Sequence, residues 1–229
     1  MTPKQFVLAV QRAFTPLADA TRAGQMKAYL LDQFEFLGLS APVRRAAVKG
    51  IGKVQWQSAD DVLAAAELLW QKPEREYRYT AVDLLRKHSV VLSVNDLPTL
   101  QALLLRESWW ETVDGMSAVI AEVMHTAVQQ QPNAAKVMDV WLTHPNHWVR
   151  RSALLHQLGW RLDTDTTRLF GYALKLADEK EFFIRKAIGW ALRDYARWNP
   201  QAVTNFLAEH RAVLSGLTLR EAAKHLTLP

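Results

Sequence analysis

Cysteine is absent from the 229 residues. That excludes disulfides, thiolate metal sites and cysteine nucleophiles, and it suits a reducing compartment. Glycine and proline number nine each, and they fall singly between apolar stretches, so no Gly/Ser linker or low-complexity tract divides the chain. Alternating Val, Ile and Thr of the kind that builds strands is missing. No apolar run approaches the length of a membrane span, and Met1 to Gln5 lacks the basic-then-apolar order of a signal peptide. A cytoplasmic protein, associated with the nucleoid when bound to DNA, is the expectation. No phosphate-binding Gly-Lys-Ser loop, dinucleotide fingerprint or nucleophile elbow is found.

What is present is helical periodicity. Hydrophobic residues make up 49% of the chain and recur at three- and four-residue intervals, enough to bury a sizeable core as one domain over 1–229. Residues 1–39 read as an N-terminal helical cap. Helix starts are expected at Pro42, at Pro73 with Glu74 and Glu76 in the first turn, and at Ser108, Pro132, Asn146 and Pro200. Gly50-Ile51-Gly52-Lys53 reads as a helix C-cap. The net charge is +5, and the excess lies in the second half, which favours polyanionic partners.

Four five-residue stretches align with one another: Val43-Arg44-Arg45-Ala46-Ala47, Tyr77-Arg78-Tyr79-Thr80-Ala81, Val149-Arg150-Arg151-Ser152-Ala153 and Ile184-Arg185-Lys186-Ala187-Ile188. Their starts are separated by 77 − 43 = 34, 149 − 77 = 72 and 184 − 149 = 35 residues. The middle gap is twice the period and hides a diverged copy, Val113-Asp114-Gly115. A period of this size predicts an all-α fold, a right-handed solenoid of HEAT-like antiparallel helix pairs with one concave groove, in which Asp114 stands where the other copies carry arginine.

Ser108-Trp109-Trp110-Glu111 has the form of a capping box. On the helix it opens, Trp109, Val113, Met116, Ile120 and Val123 form the core-facing stripe, whereas Trp110 and Asp114, four residues apart, share a different face. Asp114 is then either a site carboxylate or the partner of a neighbouring arginine. In the last clear copy Ile184, Ile188, Ala191 and Tyr195 form the buried stripe. Trp190 shares the opposite face with Lys186, Arg193 and Arg197, an arrangement that suits a nucleic acid's phosphates and flat surfaces, or else a ring covered by the stems of its basic neighbours. Of Arg150 and Arg151 only one can face the groove, and an ion pair between repeats is open to both. His144 and His147 bracket a Pro-Asn turn without a nearby carboxylate ligand, so no metal and no cofactor is expected.

Together these blocks resemble the AlkD-like DNA alkylation-repair glycosylases, which are built from HEAT-like repeats. The resemblance rests on Tyr29 to Gly38 followed by Pro42-Val43-Arg44-Arg45, on Pro73-Glu74-Arg75-Glu76, on Ser108 to Asp114, on Trp148-Val149-Arg150-Arg151, and on Glu181 to Trp190. It implies an active surface of Trp110, Asp114, Arg151 and Trp190, with Arg151 on a phosphate and Tyr29 on the DNA backbone. Lys186, Arg193 and Arg197 are added as DNA-binding cations. The activity it implies is hydrolysis of the N-glycosidic bond of cationic N3- and N7-alkylated purines in double-stranded DNA, leaving an abasic site. The protein is expected to act as a monomer and without drawing the base into a pocket. A non-catalytic HEAT-repeat scaffold, or a DNA-binding relative that has lost excision, is the alternative.

Overall fold

The computed structural model describes residues 1–226 except 52, 53, 55 and 57. The described residues contain thirteen α-helices joined by short turns and 3-10 segments, and no strand; one isolated bridge joins Glu35 to Glu74. The Gly50 to Lys53 cap expectation falls partly on residues 52 and 53, outside the described residues. Two compact units divide the chain, 1–103 and 104–229.

The first unit carries α1 (Pro3–Phe14), α2 (Ala20–Tyr29), α3 (Ala41–Val48), α4 (Ala59–Trp70), α5 (Arg75–Lys87) and most of α6 (Leu97–Leu105). Thr2 opens α1 with a capping box closed by Gln5, ahead of Pro3 in the first turn. Val10 and Phe14 of α1, Val62, Ala65, Ala66 and Leu69 of α4, and Ala81 and Leu85 of α5 are fully buried. Such side chains contribute roughly 1.5–3 kcal/mol each for the larger ones.

Two of the blocks that carry the resemblance are bound to each other here. The buried Glu76 carboxylate accepts the backbone N–H groups of Leu37 at 3.0 Å, Gly38 at 2.8 Å and Leu39 at 3.0 Å. Arg75 lays its guanidinium 3.6 Å from the Phe34 ring centroid, and its backbone N–H donates to Glu35. Gly38 has φ +89°, and a Cβ there would lie 2.1 Å from the Asp19 carbonyl oxygen, so this position requires glycine. The Pro73 to Glu76 block thus ties a loop rather than performing chemistry. Glu76→Gln replaces one acceptor oxygen by an N–H2 facing a backbone donor. It is expected to lower stability by about 1–3 kcal/mol in chemical denaturation, and a change within error would show that the loop is held by other contacts.

The second unit carries α7 (Trp110–Gln130), α8 (Lys136–Trp141), α9 (His147–Leu155), α10 (Thr166–Lys175), α11 (Phe182–Ala196), α12 (Pro200–Glu209) and α13 (Gly216–Ala222). The five aligned stretches occupy α3, α5, α7, α9 and α11, every second helix of the chain. Within the second unit α7 packs on α9, α9 on α11 and α11 on α13. Val113, Met116, Ile120 and Val123 of α7 and Ile184 and Ile188 of α11 are buried as their spacing requires. The helices touch through small residues: Ser117 Oγ donates back to Val113 O at 2.8 Å and lies 2.8 Å from Ser152 Oγ of α9.

Several expected helix starts hold. Pro42 lies in the first turn of α3, Asn146 caps α9 by accepting from Trp148 N–H, and Pro200 opens α12 behind the Asn199 cap. Others shift. The helix after Pro73 begins at Arg75, and Pro132 opens a 3-10 turn ahead of α8. Ser108 is not a cap: α7 begins at Trp110 with Trp109 in the cap position, and Ser108 Oγ donates backward to Leu104 O at 2.8 Å. The hydroxyl found a carbonyl of the preceding helix, so the capping box is not formed. Trp109 therefore stands outside the helical stripe and packs edge-on against Trp148 and Phe183, with centroids 6.1 and 5.8 Å away.

Candidate active site

The local register of α7 decides what its side chains can reach. Val113 is fully buried, and the next residue, turned by about 100°, leaves its side chain 22% exposed: Asp114. On α9 the same one-residue step separates two arginines. Arg150 turns to its own helix start, where it donates to the carbonyls of His144 at 2.7 Å and Pro145 at 2.9 Å and pairs with Glu179 at 3.0 Å. Arg151 faces α7. Its Nε donates to Asp114 Oδ1 at 2.7 Å and an Nη to Oδ2 at 3.0 Å, a two-point fork, while the other Nη donates to the Phe183 carbonyl.

Arg151 is also what joins the carboxylate to α11. Its guanidinium carbon lies 5.2 Å from the Trp190 ring centroid, with Lys186 Nζ at 5.4 Å and the Arg193 guanidinium at 5.8 Å from the same ring. Lys186 lies equally close to Phe182. Asp114, Arg151, Trp190, Lys186 and Arg193 thus form one cluster on α7, α9 and α11, which pack in succession. Trp110 stands one turn before Asp114 on α7 and is half-buried. Arg197, just past α11, is exposed, and Tyr29 at the end of α2 is 73% exposed in the other unit.

Two of the expected DNA-binding cations have carboxylate partners within the protein. Arg151, its side chain only 1% exposed, has the Asp114 carboxylate for partner in this arrangement. Asp114 is thus the partner of the neighbouring repeat's arginine, and the pairing leaves its carboxylate partly exposed. Arg193 is turned inward, 2.8 Å from Glu221 Oε2. Glu221 is the residue that sequence reasoning missed. Leu219-Arg220-Glu221-Ala222-Ala223 begins 219 − 184 = 35 residues after Ile184 and repeats the aligned pattern, so the spacing alone could have found it. In that register Glu221 corresponds to Arg151 and Lys186.

His147, at the start of α9, packs on Trp148 with centroids 4.5 Å apart, and burial draws its pKa below the ordinary histidine value. His156 is fully buried, and burial pushes it down to about 4, so it is neutral at physiological pH. Among the described residues no group of three His, Asp or Glu side chains could hold a metal ion. No helix among them is long and apolar enough to cross a membrane.

Residues 10–226 match the model of a protein family described as DNA alkylation repair enzyme. The chain belongs to that family. It is an enzyme family acting in the repair of alkylated DNA, and DNA is accordingly the substrate. The chain is similar to a solved structure described as a predicted DNA alkylation repair enzyme from Enterococcus faecalis, with 32% identity, 92% of this chain and 97% of that one covered, and a TM-score of 0.82. AlkD2 from Streptococcus mutans shares the fold at 18% identity, with 77% and 86% of the two chains covered and a TM-score of 0.60. Among curated proteins nothing matches the chain.

Proposed function

We propose that this family member hydrolyses the N-glycosidic bond of N3- and N7-alkylated purines in duplex DNA. The observation that carries the reading is the Asp114 carboxylate. It is gripped on one side by the Arg151 fork, partly exposed on the other, and linked through Arg151 to the Trp190 ring.

An alkylated purine of this kind already carries a positive charge and leaves without being protonated. That matters because the pair at the centre of the site is a carboxylate and a guanidinium, and neither serves as a general acid. Ordinary glycoside hydrolysis needs a second carboxyl group as acid, whereas here one suffices. As the bond from C1′ to the purine nitrogen stretches, its electron pair moves into the base and neutralises it, and the sugar becomes oxocarbenium-like. Asp114 stabilises that charge and orients a water whose oxygen bonds to C1′, the water's proton passing to the carboxylate or to solvent. Trp110 and Trp190 supply electron-rich faces whose attraction grows with the sugar's charge. Arg151 holds the carboxylate aimed through its two-point fork. Lys186, Arg197 and Tyr29 are then the candidates for the DNA backbone.

The test is incubation with duplexes bearing one 7-methylguanine, one 3-methyladenine or one uracil, with the freed base and the intact strand measured. Both alkylated bases are expected to appear free, leaving an abasic site in an uncut strand, and uracil is expected to stay. Release of uracil alongside 7-methylguanine would require a proton donor that the proposed mechanism lacks. Binding without any release would favour a DNA-binding relative that has lost excision.

A further inference from the structure

The Trp190 ring is held at its edge by α13, a helix that the mechanism has not used. Its indole Nε1–H donates to Glu221 Oε2 at 3.0 Å, and the same oxygen accepts Arg193 at 2.8 Å. The other oxygen, Oε1, accepts Lys224 Nζ at 2.8 Å. Glu221 is 8% exposed. Burial works to raise its carboxyl pKa, but the hydrogen bonds from Lys224 and Trp190 and the charges of Lys224 and Arg193 outweigh it and bring the group below its ordinary value.

The approach that makes this contact possible is built into α11. A Cβ on Gly189 would lie 2.5 Å from Glu221 Cβ and 3.0 Å from the Thr218 carbonyl oxygen, so only glycine lets α13 seat this closely. Thr218, bonded to the Ser215 cap of α13, also donates its hydroxyl to Arg185 O of α11 at 3.0 Å. The glycine preceding the site tryptophan thus admits the carboxylate that holds it.

We propose that Glu221 is a positioning residue for catalysis: it anchors the in-plane N–H of Trp190, sets which face the ring presents to the reacting sugar, and makes that face more electron-rich. An indole has one donor and no acceptor, so a single ionised acceptor fixes its orientation. An anion on the ring edge polarises the π system, which strengthens attraction for positive charge over the face. Glu221 also pairs with Arg193, whose guanidinium carbon lies 5.8 Å from the ring centroid. The inference rests on the reading of Trp190 as a ring beside the sugar.

A double-mutant cycle tests it. Glu221→Gln keeps the side-chain shape and removes the charge; it is expected to slow single-turnover release of 7-methylguanine by about tenfold, with duplex affinity changed by less than about twofold. In a Trp190→Phe background, where no N–H remains to be held, the same change is expected to cost less than about twofold more. Equal losses in both backgrounds overturn the proposal. A second measurement needs no DNA: the indole 1H–15N resonance of Trp190, identified by its loss in Trp190→Phe, is expected to move upfield in the proton dimension in Glu221→Gln. An unmoved resonance overturns the proposal whatever the activity. A parent protein that releases no base would sink the glycosylase reading instead, and the resonance alone would then judge the anchoring.

Discussion

Asp114→Asn is expected to slow excision of 7-methylguanine by about 10²–10³-fold, the size of removing one well-placed electrostatic group from a transition state. Asparagine keeps the shape and one acceptor oxygen but lacks the charge that opposes the oxocarbenium ion. The loss should lie in the single-turnover rate at saturating protein, with duplex binding nearly unchanged, because the interaction strengthens only as the sugar becomes charged. The Arg151 fork adds a consequence in the free protein: an N–H2 now faces a guanidinium donor, so Tm should fall as well. An Asn variant as fast as the parent would make Asp114 a structural partner of Arg151 and nothing more.

Arg151→Ala is expected to be the most destabilising change in the site. It leaves Asp114 without its fork and the Phe183 carbonyl without its side-chain donor, and it removes the guanidinium packed against Trp190. Breaking a buried pair from one side costs roughly 3–5 kcal/mol. The partial exposure of Asp114 places the expectation at the lower end, about 3 kcal/mol, as water can solvate the freed carboxylate. Adding Asp114→Ala to Arg151→Ala should cost much less than the sum of the two single changes, since the second removes a group already left unpaired. Chemical denaturation of the four proteins measures this. Strict additivity would mean that the two side chains do not depend on each other, and excision by Arg151→Ala near the parent rate would remove Arg151 from the site.

Much of this was legible from spacing. The aligned stretches lie on α3, α5, α7, α9 and α11 because a repeat must bury the same positions each time it stacks, and burial selects residue type at fixed intervals. One-residue steps on a helix also separated Val113 from Asp114, and the structure has the first buried and the second partly exposed. Ser108 misled because a hydroxyl followed three residues later by glutamate looks the same whether it caps the next helix or bonds back to the last one. The face of Arg193 was readable in the same way, but its partner Glu221 lies on another helix and was not.

Periodicity is local, and by itself it determined that the chain is all-helical, that its helices repeat, and which side of each helix is apolar. It could not say which polar side chain on one helix meets which on the next, because that depends on how closely two helices approach and how they are turned. The Asp114–Arg151 fork joins residues 37 apart in the chain and the Trp190–Glu221 bond residues 31 apart. Tertiary packing alone decided that Arg151 serves the carboxylate and that Gly189 admits Glu221 to the indole. A missing Cβ reads from sequence only as freedom, and it becomes a contact when another helix fills the space.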